Sequence, residues 1–230
     1  MFAYIPARSG SKRIPKKNIY KLGGIPLLVH VIKNLQKTNF LSEIFVSTDC
    51  DEIKSIAEKN NAKCLDLRSQ KISDHKSGFI ELIKYDLPRY IDYCNNDSEV
   101  LFTLATAALV TPEIFMQAYK VYKQTNPDIL MSCEEYSEPI WWAMEEKDDG
   151  YLKPIYPEMV LKNSQDFEKT YTDSGLFYFF DQTILSKYNS HKIVKKLKRF
   201  EVPFKHRCDV NNSEDLEVLK LKYKLIKNSC

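Results

Sequence analysis

Five cationic side chains, Arg8, Lys12, Arg13, Lys16 and Lys17, crowd into ten residues near the amino terminus. Between and beside them stand Ala7, Ser9, Gly10 and Ser11, small enough to let backbone amides approach an anion. Arg8, Lys12 and Lys17 are therefore candidates to neutralise a polyphosphate, the arginine as a bidentate fork and the lysines as point charges. The loop is neither G-x-x-x-x-G-K-S/T nor G-x-G-x-x-G. A basic arm for nucleic acid or for solubility would account for the charge, but needs neither a preceding strand nor a Ser/Gly core. At the other end of the chain Asp209 and Asn211 lie two apart, so in an extended segment they point to the same side. Asp49 follows an apolar run, where it would either touch a ligand or cap the next helix. No Ser/His/Asp or Cys/His constellation is evident, which favours direct over covalent transfer.

The elements that must position these groups alternate. Phe2-Ala3-Tyr4-Ile5 reads as a buried parallel strand, and Pro6 and Pro15 keep the basic stretch from extending it. After a Gly23-Gly24 turn, Leu27, Leu28, Val31, Ile32 and Leu35 recur at helical spacing to about Lys37, with His30 as a packing or surface residue. Residues 43–47 predict a second strand, Asp51 opens a helix, and 62–67 predict a third strand. Further strands are expected at 100–104, 128–133 and 176–180. Further helices are expected over 79–93, disturbed by Pro88, from Thr111-Pro112, and from Ser213 as cap through Leu216, Val218, Leu219, Leu221 and Leu225. Lys192 to Arg199 reads as a basic surface helix rather than a nucleic-acid site. The order predicts an α/β fold with a doubly wound, mostly parallel sheet of the Rossmann-like kind. Asp149-Gly150 between two apolar-polar runs predicts a hairpin on a projecting arm over 137–170, which carries both tryptophans. That arm is either an interface or a flap packed on its own domain.

Composition bounds the rest. At 230 residues the chain supports one sizeable core, read as one domain over 1–230. A net charge of +3 is too small to argue for nucleic acid as partner, and no apolar run approaches about 18 residues, so no membrane span is expected. Six cysteines without C-x-x-C spacing argue against a zinc knot or a disulfide scaffold. With no basic-then-apolar leader at the start, a cytoplasmic location with reduced thiols is expected.

The run Pro6-Ala7-Arg8-Ser9-Gly10-Ser11-Lys12-Arg13-Ile14-Pro15-Lys16-Lys17-Asn18 resembles the signature of the cytidylyltransferases that activate nine- and eight-carbon sugar acids, the CMP-sialic acid synthetase family. Asn163-Ser164-Gln165-Asp166 and the segment from Asp173 to Tyr178 resemble its pseudaminic acid branch in particular. The resemblance extends from Pro6 to Leu216. It implies transfer of CMP from CTP to a nonulosonic acid with release of pyrophosphate, dependent on Mg²⁺, by a homodimer that exchanges its arms.

Residue by residue, the resemblance implies that Arg8, Lys12 and Lys17 act on the triphosphate, with Ala7, Ser11 and Asn18 around it. Arg68 and Ser77 would hold the cytosine. Gln165, Asp173 and Tyr178 would face the sugar acid, with Gly175 admitting its close approach. Asp209 and Asn211 stand at the D-x-D position that holds magnesium, with asparagine in place of the second aspartate. Ala108 stands where the family usually has proline, and Ala105 near a position where many sialic acid members have glutamine; the alanine-rich wall is closer to the pseudaminic-type branch. Partners implied are CTP and a small acidic sugar, with neither nucleic acid nor membrane. An enzyme for another acidic sugar such as an octulosonate, or a non-catalytic nucleotide-binding relative, remains open.

Overall fold

Alternating side chains along Phe2–Pro6 (β1) sort onto two faces, and this sorting sets the architecture. Phe2 and Tyr4 enter one core; Ala3 and Ile5 enter another on the opposite side. The same alternation sends Phe45 one way and Ile44 and Val46 the other on Glu43–Ser47 (β4), and splits Val100 and Phe102 from Leu101 on Glu99–Thr103 (β5). A strand buried on both faces must be covered twice. Helices Leu27–Leu35 (α1), Asp51–Lys59 (α2) and Pro112–Thr125 (α5) cover the first face; Phe79–Tyr85 (α3) and Leu87–Tyr93 (α4) cover the second. The computed structural model describes residues 1–11, 13–73, 78–94, 99–184 and 196–228.

Among these residues the central sheet has six strands. With Ile129–Glu135 (β6), Tyr171–Asp181 (β9) and Leu197–Glu201 (β10), its order is β10-β6-β9-β5-β1-β4. Only β9 is reversed, antiparallel to both β5 and β6; the β1–β4, β1–β5 and β6–β10 pairings are parallel. The expected doubly wound, mostly parallel sheet is present. Two short pairs lie outside it: Lys21–Leu22 (β2) with Ile25–Pro26 (β3), and Met144–Glu146 (β7) with Leu152–Pro154 (β8).

A third core cluster fastens the chain's two ends together. Ile14 sinks among Leu22, Val210, Leu216 and Leu219, the last two from the final helix, Ser213–Asn228 (α6). Burying one such side chain contributes about 1.5–3 kcal/mol. Repulsion between exposed cations is roughly 1 kcal/mol per close pair. The anchor therefore opposes the tendency of the basic loop to spring away from its own charge.

Several expectations need correction. Residues 62–67 make a single bridge, Lys63 to Phe45, and not a strand. The chain touches β4 there and peels off, because Arg68 is drawn in at the end of β4, where its amide donates to the Thr48 carbonyl at 2.7 Å. Leu197 to Arg199 belong to β10 and not to a helix, since parallel pairing with β6 and burial of Phe200 against the core outweigh the helical spacing of the apolar residues; Lys192 to Lys195 lie outside the described residues. Asn212, not Ser213, caps α6: its Oδ1 accepts the Asp215 amide at 3.0 Å, and the Asp215 carboxylate accepts the amides of Asn211 and Asn212. On that helix Leu216 and Leu219 are buried, whereas Val218, Leu221 and Leu225 are exposed. His30 is a packing residue, bonded to the Leu22 carbonyl and set edge-on to Tyr223.

The hairpin predicted at Asp149-Gly150 forms between β7 and β8, with Gly150 at φ +81°. Trp141 packs against Tyr156 and Trp142 against Phe167 beside it. No helix among the described residues is long and apolar enough to cross a membrane.

Candidate active site

Where β1 and β5 end at their carboxyl edges, the sheet opens into a cavity of about 510 Å³. Such an edge is where an open α/β sheet receives ligands. Arg8, Ser11, Arg13, Lys17 and Asn18 line it from the basic loop, Arg68 from beyond β4, Leu104 to Thr106 from beyond β5, Tyr178 from β9 and Asn211 from the opposite end of the chain.

The loop is held open by its own contacts. The Ser9 amide and hydroxyl both donate to the Asp49 carboxylate, at 2.7 and 3.0 Å. Asp49 does not cap α2; its carboxylate clasps the loop. Lys16, at φ +54°, pairs with Glu52 of α2. The Asn18 amide donates to the Arg8 carbonyl at 2.8 Å, closing the loop across its base. The Ala7 amide does not face the cavity's anion site: it donates to the Ser47 carbonyl at 2.8 Å and continues the β1–β4 ladder. Ala7 is buried, and its amide is taken up by this bond. Lys12 and Ser77 lie outside the described residues.

Lys17 is half-buried and donates to the Val210 carbonyl at 2.7 Å. Burial lowers the pKa of its ammonium; Asp209 opposes that, and Arg13 and Arg8 reinforce it. Three cations brought together on one cavity wall are suited to a polyanion. Arg13 donates to Asn211 Oδ1 at 3.1 Å, and Asn211 Nδ2 donates to Asp209 Oδ2 at 2.6 Å. Arg13's residue type and spacing mark it only as one of the loop's cations; its pairing with Asn211 has no local signal.

Three extra residues of β9 face β6 between the Met131–Tyr178 and Cys133–Asp173 pairs, and the bulge carries Gly175, at φ +63°, toward Asp209. A side-chain carbon at Gly175 would stand 3.4 Å from the Asp209 carboxyl carbon, so glycine makes the room that this carboxylate occupies. Asp173 accepts the Gly175 amide at 2.8 Å and the Tyr178 hydroxyl in a short bond. Burial, then Asp173, raise the pKa of the Tyr178 phenol, which stays protonated and donates. Tyr178 reaches the cavity wall beside Phe79, whereas Gln165, on an exposed turn over Ser164–Asp166, and Asp173 do not line it.

For a hard divalent cation, Asp209 supplies an exposed carboxylate of the right chemistry. Asn211 turns its oxygen to Arg13 and its amide to Asp209, so it does not offer an oxygen beside that carboxylate. No cluster of three or more His, Cys, Asp or Glu suited to a metal exists among the described residues. An ion here would complete its shell from ligand oxygens and water, as Mg²⁺ commonly does.

A cationic loop after the first strand, facing a carboxylate segment across a sheet-edge cavity, defines a nucleotidyltransferase fold and site. The chain belongs to the cytidylyltransferase family, whose profile matches residues 2–223. It is 30% identical over 227 residues to the pseudaminic acid cytidylyltransferase of Campylobacter jejuni, covering 96% of this chain and 95% of that one. It is 29% identical over 154 residues to the CMP-N,N'-diacetyllegionaminic acid synthase of Legionella pneumophila, covering 67% of this chain and 66% of that one. Among solved structures it superposes on a CMP:2-keto-3-deoxy-manno-octonic acid synthetase complexed with CTP, with a TM-score of 0.70 at 16% identity, covering 100% of this chain and 99% of that one. The last likeness establishes the fold.

Proposed function

We infer that this cytidylyltransferase transfers CMP from CTP to a nonulosonic acid of the pseudaminic type and releases pyrophosphate. The observation that carries the reading is the placement of Arg8, Arg13 and Lys17 opposite Asn211 on one cavity, with Arg68 on the same wall system. The relatives named for pseudaminic and legionaminic acids support the substrate class.

In this reading the anomeric hydroxyl of the sugar acid attacks the α-phosphorus of CTP in line. The bond from that phosphorus to the bridging oxygen breaks, pyrophosphate leaves with the electron pair, and the hydroxyl proton passes to solvent. Negative charge gathers on the departing oxygens, where Arg8, Arg13 and Lys17 stabilise it without reorganising. Asn18 and Ser11 hold the loop that orients the phosphates. Arg68 contacts the base with Ser77, and Tyr178, positioned by Asp173, borders the sugar side; Gln165 would reach the sugar only from the arm. The small Ala105 side chain leaves an apolar wall there. Mg²⁺, held at Asp209, would supply electrophilic stabilisation of the phosphate oxygens.

The arm supports a homodimer, since Tyr151, Leu152 and Leu161 are exposed on it. Cys50, Cys64, Cys133 and Cys208 are free thiols, which suits a reducing cytoplasm. The test is a pyrophosphate-release assay pairing CTP, UTP and ATP with pseudaminic, legionaminic, sialic and octulosonic acids, with and without Mg²⁺. Turnover with CTP and pseudaminic acid above the other pairs is expected. Tight CTP binding without turnover on any sugar would overturn the reading.

A further inference from the structure

Behind the wall that carries Arg68 lies a buried polar network that the transfer chemistry above does not use. Asp86, between α3 and α4, is fully buried. Its Oδ2 accepts the Tyr4 hydroxyl at 2.6 Å and the Ser47 hydroxyl at 2.5 Å, and its Oδ1 accepts Arg89 at 3.1 Å. Ser47, the last residue of β4, accepts Arg68 Nη1 at 3.4 Å, and Arg68 Nε donates to Ser73 Oγ at 2.9 Å. Arg68 is only 4% exposed and yet lines the cavity.

Direction matters in this chain of bonds. A serine hydroxyl has one proton to give. Spent on Asp86, it leaves only oxygen lone pairs for the guanidinium. Without the carboxylate, nothing fixes the Ser47 O–H, and its lone pairs are no longer held toward Arg68. Arg89 pairs with the buried Asp86 carboxylate from the next turn of helix, so the carboxylate is not left alone in the core. The network thus joins β1, β4 and α3–α4 to one side chain on the cavity wall.

We propose that Asp86, acting through Ser47, is a positioning residue for Arg68 and thereby sets the affinity for the nucleobase. The proposal rests on the reading of Arg68 as a base-contacting residue. Ser47→Ala tests it with the least disturbance, since Asp86 keeps Tyr4 and Arg89; Asp86→Asn preserves shape and removes the charge. KM for CTP, KM for the sugar acid, kcat and melting temperature are measured for Ser47→Ala, Arg68→Ala, their double variant and Asp86→Asn. Ser47→Ala is expected to raise KM for CTP about tenfold, with kcat within about twofold and KM for the sugar unchanged. In the Arg68→Ala background the same change is expected to add nothing. Asp86→Asn is expected to move KM for CTP in the same direction. If Arg68→Ala weakens CTP but Ser47→Ala is neutral, or costs the same factor with and without Arg68, the positioning role is wrong and the base reading stands. If Arg68→Ala leaves KM for CTP unchanged, the base reading falls, and the positioning role with it.

Discussion

Lys17 donates its ammonium to the carbonyl oxygen of Val210, 193 residues further along the chain and 2.7 Å away. The bond ties the basic loop to the segment that carries Asp209 and Asn211, and it does so with the side chain best placed to meet a phosphate. Burial sets the folded pKa of Lys17 below its ordinary value of 10.5. The unfolded chain therefore binds this proton more tightly, so the ammonium subtracts stability at neutral pH, and the loss is recovered as pH rises from the folded pKa toward 10.5. Lys17→Met is expected to lower turnover on the order of a hundredfold or more. Its melting temperature at pH 7 is expected to hold, because the lost bond to Val210 is offset by the relief of a half-buried charge. Pyrophosphate release and a thermal melt check both halves. A collapse of the melt alongside the activity would make Lys17 a structural residue.

Asn211 both donates to Asp209 and accepts from Arg13. Asn211→Asp removes the donor and sets two carboxylates side by side, a repulsion of roughly 1–4 kcal/mol at about 4 Å, part of which Arg13 recovers. A divalent cation would relieve the remainder. The variant is expected to melt below the parent without Mg²⁺, to gain more than the parent when Mg²⁺ is added, and to keep or raise its Mg²⁺-dependent turnover. Melting curves with and without the ion, in the absence of nucleotide, read the first two outcomes. Indifference of both proteins to Mg²⁺ would place the ion away from Asp209.

What the sequence disclosed follows from how local each signal is. The loop from Pro6 to Asn18 announces itself through proline, glycine and clustered charge, all within a few residues, and strand alternation on β1, β4 and β5 needs no partner to be read. Residues 62–67 were illegible as a single bridge because propensity does not say how far a segment stays beside its neighbour. The helical spacing read over Lys192 to Arg199 does not carry into β10, which owes its state to pairing with β6. Of the residues the sequence marks, Arg8, Ser11, Lys17, Asn18, Arg68, Tyr178 and Asn211 line the cavity, whereas Ala7, Gln165, Asp173 and Asp209 do not. The Asp49 clasp on Ser9 and the bonds from Tyr4 and Ser47 to Asp86 join residues about forty or more positions apart. No composition, period or spacing records such bonds.

Gly175 holds a left-handed backbone within contact distance of the Asp209 carboxylate. Gly175→Ala brings strain of about 1–2 kcal/mol from the positive φ. It also sets a methyl group against the carboxyl group, so the carboxylate must shift. Both stability and turnover are expected to fall, as read by urea unfolding and by pyrophosphate release. Gly24→Ala is the control: Gly24 is at φ +83° with nothing near the added carbon, so stability is expected to fall with turnover per folded molecule unchanged. Equal effects on turnover would mean that strain alone, and not the crowding of Asp209, is responsible.

The three-residue strands β7 and β8 form a pair too small to be stable by themselves. Leu161 is 95% exposed, Tyr151 75% and Leu152 65%, and the buried indole N–H of Trp142 has no hydrogen-bond partner among the described residues. If the protein is a homodimer closed through this arm, a second copy would cover these exposed apolar side chains. Leu161→Asp changes a side chain already in water, so it costs the isolated chain less than about 0.5 kcal/mol. In a dimer closed through this arm it would bury an unpaired carboxylate, which is far more expensive. Light scattering on a sizing column is expected to give a dimer for the parent and a monomer for Leu161→Asp, with the folded spectrum retained. A monomeric parent would make the arm a flap on its own domain, and a dimeric variant would move the interface to another face.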